Sequence, residues 1–226
     1  MLNFEDNSDV RRLPIFLLLD TSGSMTGAPI QAVNEGLRTL QRALQEDPHA
    51  LETAHISIIT FGGHVEQVCS MVPADTFEPR ELVASGTTPM GEALLKLNMC
   101  LDTEVRLRST DQAKADWKPL VFLFSDGEPT DGQNWREGIS ALKNRADRKM
   151  SNFIAIGAGP SANLAMLKEL GGVTLSMSEL TPQSIADLFS WISQSAQVAS
   201  RSASRSSAEE ADADLPELPR SISIKL

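Results

Sequence analysis

Residues 15–24 read Ile-Phe-Leu-Leu-Leu-Asp-Thr-Ser-Gly-Ser, and this stretch decides the fold. Its apolar first half predicts a strand that is buried on both faces. The polar half places a carboxylate, Asp20, and two hydroxyls, Ser22 and Ser24, directly after that strand. Mg²⁺ binds oxygen ligands in octahedral geometry and retains water or an outside ligand in its remaining positions. The stretch therefore predicts half of a hard-cation site at the carboxyl end of a buried strand.

The rest of the chain alternates between apolar runs and amphipathic segments. Further buried strands are predicted at 55–61, 120–124 and 152–156, with a short edge strand at 173–175. Helical spacing of apolar residues predicts helices from Pro29, from Thr88-Pro89, from about Trp135 to Lys149, after Ser161 and from Thr181-Pro182. This alternation is typical of an α/β fold, a doubly wound and mostly parallel sheet with helices on both faces. Gly62-Gly63 signals a hairpin that adds one antiparallel edge strand.

The composition argues against some classes of partner. The 226 residues carry 20 Lys and Arg against 30 Asp and Glu, a formal net charge of −10, which argues against nucleic acid as a partner. No segment resembles a signal peptide, and no apolar run is long enough to span a bilayer. We therefore expect a cytoplasmic protein without a membrane partner. Cys69 and Cys100 are then expected to be reduced, buried thiols.

Composition also divides the chain into three parts. Residues 1–12 form a polar N-terminal extension, residues 13–199 a single domain, and residues 200–226 a Ser-rich and acidic tail. The tail has too few apolar residues to build a core, which predicts disorder. Residues 221–226 alternate polar and apolar positions, a pattern that also suits a strand on a sheet edge. A frayed terminus is the interpretation retained for them.

Two more segments place oxygen-bearing side chains where strands end or helices begin. Residues 85–94 read Ser-Gly-Thr-Thr-Pro-Met-Gly-Glu-Ala-Leu, and residues 124–132 read Phe-Ser-Asp-Gly-Glu-Pro-Thr-Asp-Gly. In open α/β sheets, ligands bind outside the carboxyl ends of the strands. Asp20 and Asp126 are therefore expected on one rim. Glu128 and Asp131 are interpreted as loop residues on the contact rim.

Together the three segments resemble the von Willebrand factor type A domain and its metal-ion-dependent adhesion site. The resemblance covers about residues 13–194. It implies that the metal ligands are Asp20, Ser22, Ser24, Thr88 and Asp126. Thr87 replaces Thr88 if the register shifts by one residue. The implied metal is Mg²⁺, with Mn²⁺ or Ca²⁺ as alternatives, and its open position implies a partner protein that donates an acidic residue.

Within this family the segments PIFLLLDTSGSM, SGTTPMGEAL and FLFSDGEPTD are most similar to the bacterial tellurium-resistance proteins of the TerY type. That resemblance implies an intracellular scaffold in a tellurium-resistance or stress-response system, with kinase-like or phosphatase-like partners. It implies no enzymatic activity.

Two other functions are compatible with parts of the sequence. A Mg²⁺-dependent phosphotransfer enzyme of the haloacid-dehalogenase type also begins with a strand that ends in Asp, and it uses that Asp as a nucleophile. In such enzymes this Asp begins an Asp-x-Asp motif. In this chain Ser22 stands where that motif has its second Asp. A subunit that couples an ATPase to its substrate is the other alternative. This chain has no phosphate-binding motif of its own, so the ATPase would be another protein.

Overall fold

The computed structural model describes residues 11–106, 115–145, 152–205 and 215–224. Of the predicted N-terminal extension, residues 1–10 lie outside the described residues. The strands are β1 (Leu13–Asp20), β2 (Ala54–Gly62), β3 (His64–Pro73), β4 (Leu120–Ser125), β5 (Asn152–Ala158), β6 (Val173–Met177) and β7 (Ile222–Ile224). The α-helices are α1 (Ala28–Glu46), α2 (Pro48–Thr53), α3 (Met90–Glu104), α4 (Gly132–Lys143), α5 (Leu164–Lys168) and α6 (Pro182–Arg205). A short 3₁₀-helix spans Gly23–Met25.

The strands form one seven-stranded sheet in the order β3-β2-β1-β4-β5-β6-β7. The neighbours from β2 to β6 are parallel, which confirms the predicted doubly wound α/β fold. The hairpin at Gly62-Gly63 places β3 antiparallel on one edge, as predicted. A second antiparallel strand, β7, covers the opposite edge. The prediction that 173–175 forms an edge strand is therefore wrong, because β6 is paired on both sides.

Each face of the sheet has its own apolar core. Alternate side chains of β1 and β4 point to opposite faces, as the two-residue period of a strand requires. Leu17 and Phe122 pack with α1 and α6 on one face. Leu18 and Leu123 pack with α3, α4 and α5 on the other. Burial on both faces explains why these strands are continuous apolar runs.

Several helix boundaries differ from the predicted ones. Helix α3 begins at Met90, and its N-cap, Pro89, has no side-chain hydrogen bond, so Thr88 is not the cap. Helix α4 begins at Gly132 and ends at Lys143 instead of running to Lys149. The side chain that caps α5 is Asn163 and not Ser161. Among the described residues, no helix is both long and apolar enough to cross a bilayer.

The predicted disorder of residues 200–226 is wrong for the parts of this segment that the structure describes. Helix α6 continues to Arg205, and Ser200 is buried against Thr53, whose hydroxyl lies 2.8 Å from that of Ser200. Residues 215–224 fold back onto the domain, where Leu215 and Leu218 pack against the core. Residues 206–214 and 225–226 lie outside the described residues. The frayed terminus expected at 221–226 is instead a strand over Ile222–Ile224.

Both cysteines are free thiols, but only Cys100 is buried as predicted, whereas Cys69 is half-buried. Cys100 is a residue of α3 that packs in the core, and burial raises the pKa of its thiol to about 11. Burial also raises the pKa of Cys69. Both thiols are therefore protonated and unreactive near neutral pH.

Candidate metal centre

The candidate site lies at the carboxyl ends of β1 and β4, which are neighbours in the middle of the sheet. Leu19 pairs with Phe124, so Asp20 and Ser125, the last residues of β1 and β4, lie side by side. The connection after β1 leads to β2 on one side of it, and β4 lies on its other side. Such a reversal opens a crevice between the two loops that follow the strands. The topology therefore brings the first and third predicted segments together.

Asp20 is fully buried at this point, with an exposed fraction of 0%. One carboxylate oxygen, Oδ1, accepts a hydrogen bond of 2.8 Å from the amide of Ser22. The other, Oδ2, accepts one of 2.5 Å from the hydroxyl of Ser125. Both oxygens thus have fixed donors, which hold the carboxylate in one orientation.

Hydroxyl groups connect the loop after β1 to the loop after β4. The hydroxyl oxygens of Ser22 and Ser24 lie 3.0 Å apart. Ser24 in turn donates a hydrogen bond of 2.8 Å to Oδ1 of Asp126. Asp126 is buried, whereas Ser24 is exposed, so the cluster opens to solvent at Ser24. A serine that donates to a carboxylate still has lone pairs with which to bind a cation.

Residues 85–88, which precede α3, pack backbone on backbone against the loop after β1 and the hairpin between β2 and β3. The amide of Gly23 donates to the carbonyl of Gly86 over 2.9 Å, and Ser85 donates to the carbonyl of Thr21 over 2.8 Å. Gly86 has φ +73°, and a Cβ there would lie 2.5 Å from the Cα of Gly63. Only glycine combines this left-handed conformation with so close an approach.

Thr88, at the end of this segment, is buried next to the loop after β4. Its hydroxyl lies 3.8 Å from the position that a Cβ on Gly127 would occupy. Thr87 is exposed, and its carbonyl accepts a hydrogen bond from the amide of Gly63. The geometry therefore favours Thr88 over Thr87 as the hydroxyl that lies next to the loop carrying Asp126.

The electrostatics of the site suit a cation. Burial raises the pKa of Asp20, hydrogen bonds from Ser125 and Ser22 oppose that rise, and the neighbouring charge of Asp126 adds to it. Neither Asp20 nor Asp126 forms an ion pair with a lysine or arginine in the part of the chain that the structure describes. Two buried carboxylates without a cationic partner are costly unless a bound cation or protons compensate them.

The donor set identifies the class of metal. Carboxylate and hydroxyl oxygens suit Mg²⁺, Mn²⁺ or Ca²⁺ and are poor ligands for soft ions. The described ranges contain no group of three or more His, Cys, Asp or Glu side chains that could hold a metal ion. The residues present therefore fit a hard divalent cation that depends on hydroxyls. Asp20, Ser22, Ser24, Thr88 and Asp126 would hold it.

Sequence reasoning missed two residues that shape this cluster. Ser125 was not singled out, although it donates to Asp20, because only the pairing of β1 with β4 brings the two together. Asp131 was interpreted as a residue of the contact rim. Its carboxylate instead accepts hydrogen bonds from the amides of Gly91 and Glu92, at the start of α3. Its separation of 39 and 40 residues from these donors hides the contact in the sequence.

Comparison with known proteins supports the same fold. The sequence pattern of the von Willebrand factor type A domain matches residues 15–185. Inter-alpha-trypsin inhibitor heavy chain H2 of Sus scrofa is 26% identical over 167 residues, which make up 73% of this chain and 18% of that relative. This chain thus spans about a fifth of the relative's length.

Two solved structures are similar to this fold. A von Willebrand factor type A protein from Catenulispora acidiphila has a TM-score of 0.62 and 14% identity, over 84% of this chain and 43% of that one. Proximal thread matrix protein 1 from the mussel byssus, described with a zinc-occupied MIDAS motif, has a TM-score of 0.54 and 14% identity, over 81% of this chain and 48% of that one. At these identities the likeness extends to the fold.

Proposed function

This chain belongs to the von Willebrand factor type A domain family, and we therefore propose that it is a metal-dependent protein-binding module. One observation carries the proposal. Three loops at one rim bring together two buried carboxylates, Asp20 and Asp126, whose hydrogen bonds come from hydroxyl and amide groups. A site that concentrates negative charge and hydroxyl oxygens in this way is suited to a divalent cation.

The proposed ion is Mg²⁺, with Mn²⁺ or Ca²⁺ as alternatives. Its ligands would be Asp20, Ser22, Ser24, Thr88 and Asp126. The mussel protein with a zinc-occupied MIDAS motif supports a divalent ion at this place in the fold. The exposed side of the cluster, at Ser24, is where an outside ligand would reach the ion. A carboxylate of a partner protein is the natural ligand for a hard cation there.

We propose no enzymatic activity for the site. A phosphotransfer enzyme of the haloacid-dehalogenase type would need Asp20 as a nucleophile. Asp20 has an exposed fraction of 0%, and both of its oxygens accept hydrogen bonds, from Ser22 and Ser125. A carboxylate held in this way is poorly placed to attack a substrate. This geometry supports binding over catalysis.

The proposed setting is an intracellular scaffold of a bacterial tellurium-resistance or stress-response system. Kinase-like or phosphatase-like proteins are the proposed partners. The resemblance of the three site segments to proteins of the TerY type supports this setting. The net charge of −10 supports a partner other than nucleic acid.

Capture of partners from a bacterial lysate, in Mg²⁺ or in EDTA, tests the proposal. Asp126→Ala is the informative variant. Among the described side chains, only the hydroxyl of Ser24 donates a hydrogen bond to the carboxylate of Asp126, so the loss of that carboxylate disturbs few contacts. Glu52→Ala is the matched control. It removes an exposed carboxylate from α2, just before β2 begins, at the opposite end of the sheet from the rim.

A prey that wild type and Glu52→Ala retain in Mg²⁺, and that is lost with EDTA or with Asp126→Ala, is the expected result. A prey that all samples retain in EDTA would show that binding uses another surface and would overturn the proposed mechanism.

A further inference from the structure

A carboxylate from the loop after β4 caps a helix that begins about forty residues earlier in the chain. Oδ1 of Asp131 accepts a hydrogen bond of 3.0 Å from the amide of Gly91, and Oδ2 accepts one of 2.8 Å from the amide of Glu92. These amides belong to the first turn of α3, where the helix has no partner of its own for them. The N-cap, Pro89, supplies no side-chain hydrogen bond. Asp131 thus provides the cap that the local sequence lacks.

The residue before it makes a second connection to the same segment. The hydroxyl of Thr130 accepts a hydrogen bond of 3.1 Å from the amide of Thr88. The amide of Thr130 donates one of 3.0 Å to the carbonyl of Thr88. The backbone of a proposed metal ligand is therefore held on both sides by the loop that carries another ligand, Asp126.

The starts of α3 and α4 pack closely against each other. A Cβ on Gly91 would lie 2.1 Å from the backbone nitrogen of Trp135, closer than any real contact of a Cβ. That nitrogen donates a hydrogen bond of 3.0 Å to the carbonyl of Asp131. The two helix starts and the loop between Asp126 and Asp131 are thus packed as one unit.

We propose that Asp131 is a positioning residue for the metal site: it sets the place of the Thr88 hydroxyl relative to Asp126. This inference rests on the proposed function, because it assumes that these two residues bind the ion. A site whose ligands are already in place loses less conformational freedom when the ion binds, so it binds more tightly. Replacing a residue that orients metal ligands typically weakens metal binding by about 10- to 100-fold.

Titration of the purified protein with Mn²⁺ by calorimetry tests this role. Asp131→Ala is expected to weaken Mn²⁺ binding by about tenfold or more, the usual effect of removing a group that orients metal ligands. Asp131→Asn is expected to fall between Asp131→Ala and wild type, because one amide-accepting oxygen remains. The chemical denaturation midpoint in EDTA is measured for each variant, so that affinity and stability are compared separately.

Two control variants separate positioning from simpler effects. Glu92→Gln removes an exposed carboxylate from the same helix start, and it measures the loss of one negative charge near the ion. Asp47→Ala removes a carboxylate that accepts hydrogen bonds from the amides of His49 and Ala50, at the start of α2. It measures the loss of a helix cap, together with an ion pair to Arg201, at the opposite end of the sheet from the rim. Both are expected to bind Mn²⁺ within about twofold of wild type, because the exposed charge of Glu92 is strongly screened and Asp47 lies far from the proposed ligands.

Unchanged Mn²⁺ affinity in a folded Asp131→Ala protein would refute the proposal, and so would an equal loss in Glu92→Gln. If Asp131→Ala does not fold, Asp131→Asn decides instead, because it keeps one accepting oxygen and unchanged Mn²⁺ affinity in it would equally refute the proposal. Thr130→Val, which removes the hydroxyl that accepts a hydrogen bond from the amide of Thr88, should also weaken Mn²⁺ binding while the fold in EDTA is kept. Failure of wild type to bind Mn²⁺ would refute the proposed function itself, a result distinct from failure of the positioning role.

Discussion

The C-terminal strand offers a prediction in which two identical residues should behave differently. Ile222 and Ile224 lie two positions apart in β7, on the same face of the sheet. Ile222 has an exposed fraction of 5% and belongs to the core that contains α6, whereas Ile224 has an exposed fraction of 54%. Replacing each by alanine removes the same three carbon atoms from very different surroundings.

The expected magnitude follows from burial. At about 0.8 kcal/mol for each buried carbon group, Ile222→Ala should lower the free energy of unfolding by about 2.4 kcal/mol. For a domain of this size that corresponds to a fall in Tm of about 5–10 °C. Ile224→Ala should change the free energy of unfolding by less than about 0.5 kcal/mol, as is usual for an exposed side chain.

Local unfolding sets an upper limit on this effect. If residues 215–224 detach before the domain unfolds, the loss cannot exceed the free energy that holds this segment in place. Several contacts contribute to that free energy besides Ile222. The indole of Trp191 donates a hydrogen bond of 3.1 Å to the carbonyl of Pro216, and Ser221 donates one of 2.9 Å to Asp187.

Urea denaturation of the full chain in EDTA, followed by tryptophan fluorescence, measures the difference. The contact between Trp191 and Pro216 makes fluorescence a reporter of this region. Equal midpoints for wild type, Ile222→Ala and Ile224→Ala would refute the reasoning, because they would mean that β7 contributes nothing to the stability of the domain.

Three further outcomes test the rest of the structure. Gly91→Ala should lower the free energy of unfolding by about 2–3 kcal/mol, because the added Cβ would meet the backbone of Trp135. Gly132→Ala should be neutral in the same urea series, because no atom lies within 4 Å of its added Cβ. Mg²⁺ at one hundred times its Kd should raise the free energy of unfolding of wild type by about 2.7 kcal/mol, which is measured as a rise in Tm. If Mg²⁺ raises the Tm of Asp126→Ala equally, the proposed ligand set is excluded. Burial opposes ionisation of Asp47, but amide hydrogen bonds and an arginine partner outweigh it and hold its pKa below the ordinary value. The stability that this carboxylate contributes is therefore complete above its unfolded pKa and lost as the pH falls through the folded one, so urea midpoints between about pH 5 and pH 2 should fall more steeply in wild type than in Asp47→Asn.

Local patterns predicted the central part of the fold well. The apolar runs at 15–19, 120–124 and 152–156 are the inner strands β1, β4 and β5. They could be recognised because burial on both faces demands continuous apolar residues. The short strand β7 gave too weak a signal. Its three residues follow an acidic, Ser-rich segment, and only the free edge of β6 gives them a partner.

The sequence predicted where the candidate site lies but not all of its contacts. The three segments that carry Asp20, Thr88 and Asp126 do meet at one rim. Asp20 and Asp126 follow parallel strands, which end on the same side of the sheet. The segment of Thr88 reaches them through backbone hydrogen bonds to both loops. The assignment of these side chains as metal ligands stays a prediction. The contacts of Ser125 and Asp131 could not be predicted, since each joins residues far apart in the sequence.

The sequence by itself determined which segments become buried strands, which helices cover them and which oxygen-bearing residues follow the strands. These features depend on the chemistry of neighbouring residues, which the period of a helix or strand makes visible. Only the tertiary structure decided the order of the strands, the cap on α3 and the docking of the C-terminal segment. Each of these depends on which distant segments share a surface, and the free energy of that contact belongs to neither segment alone.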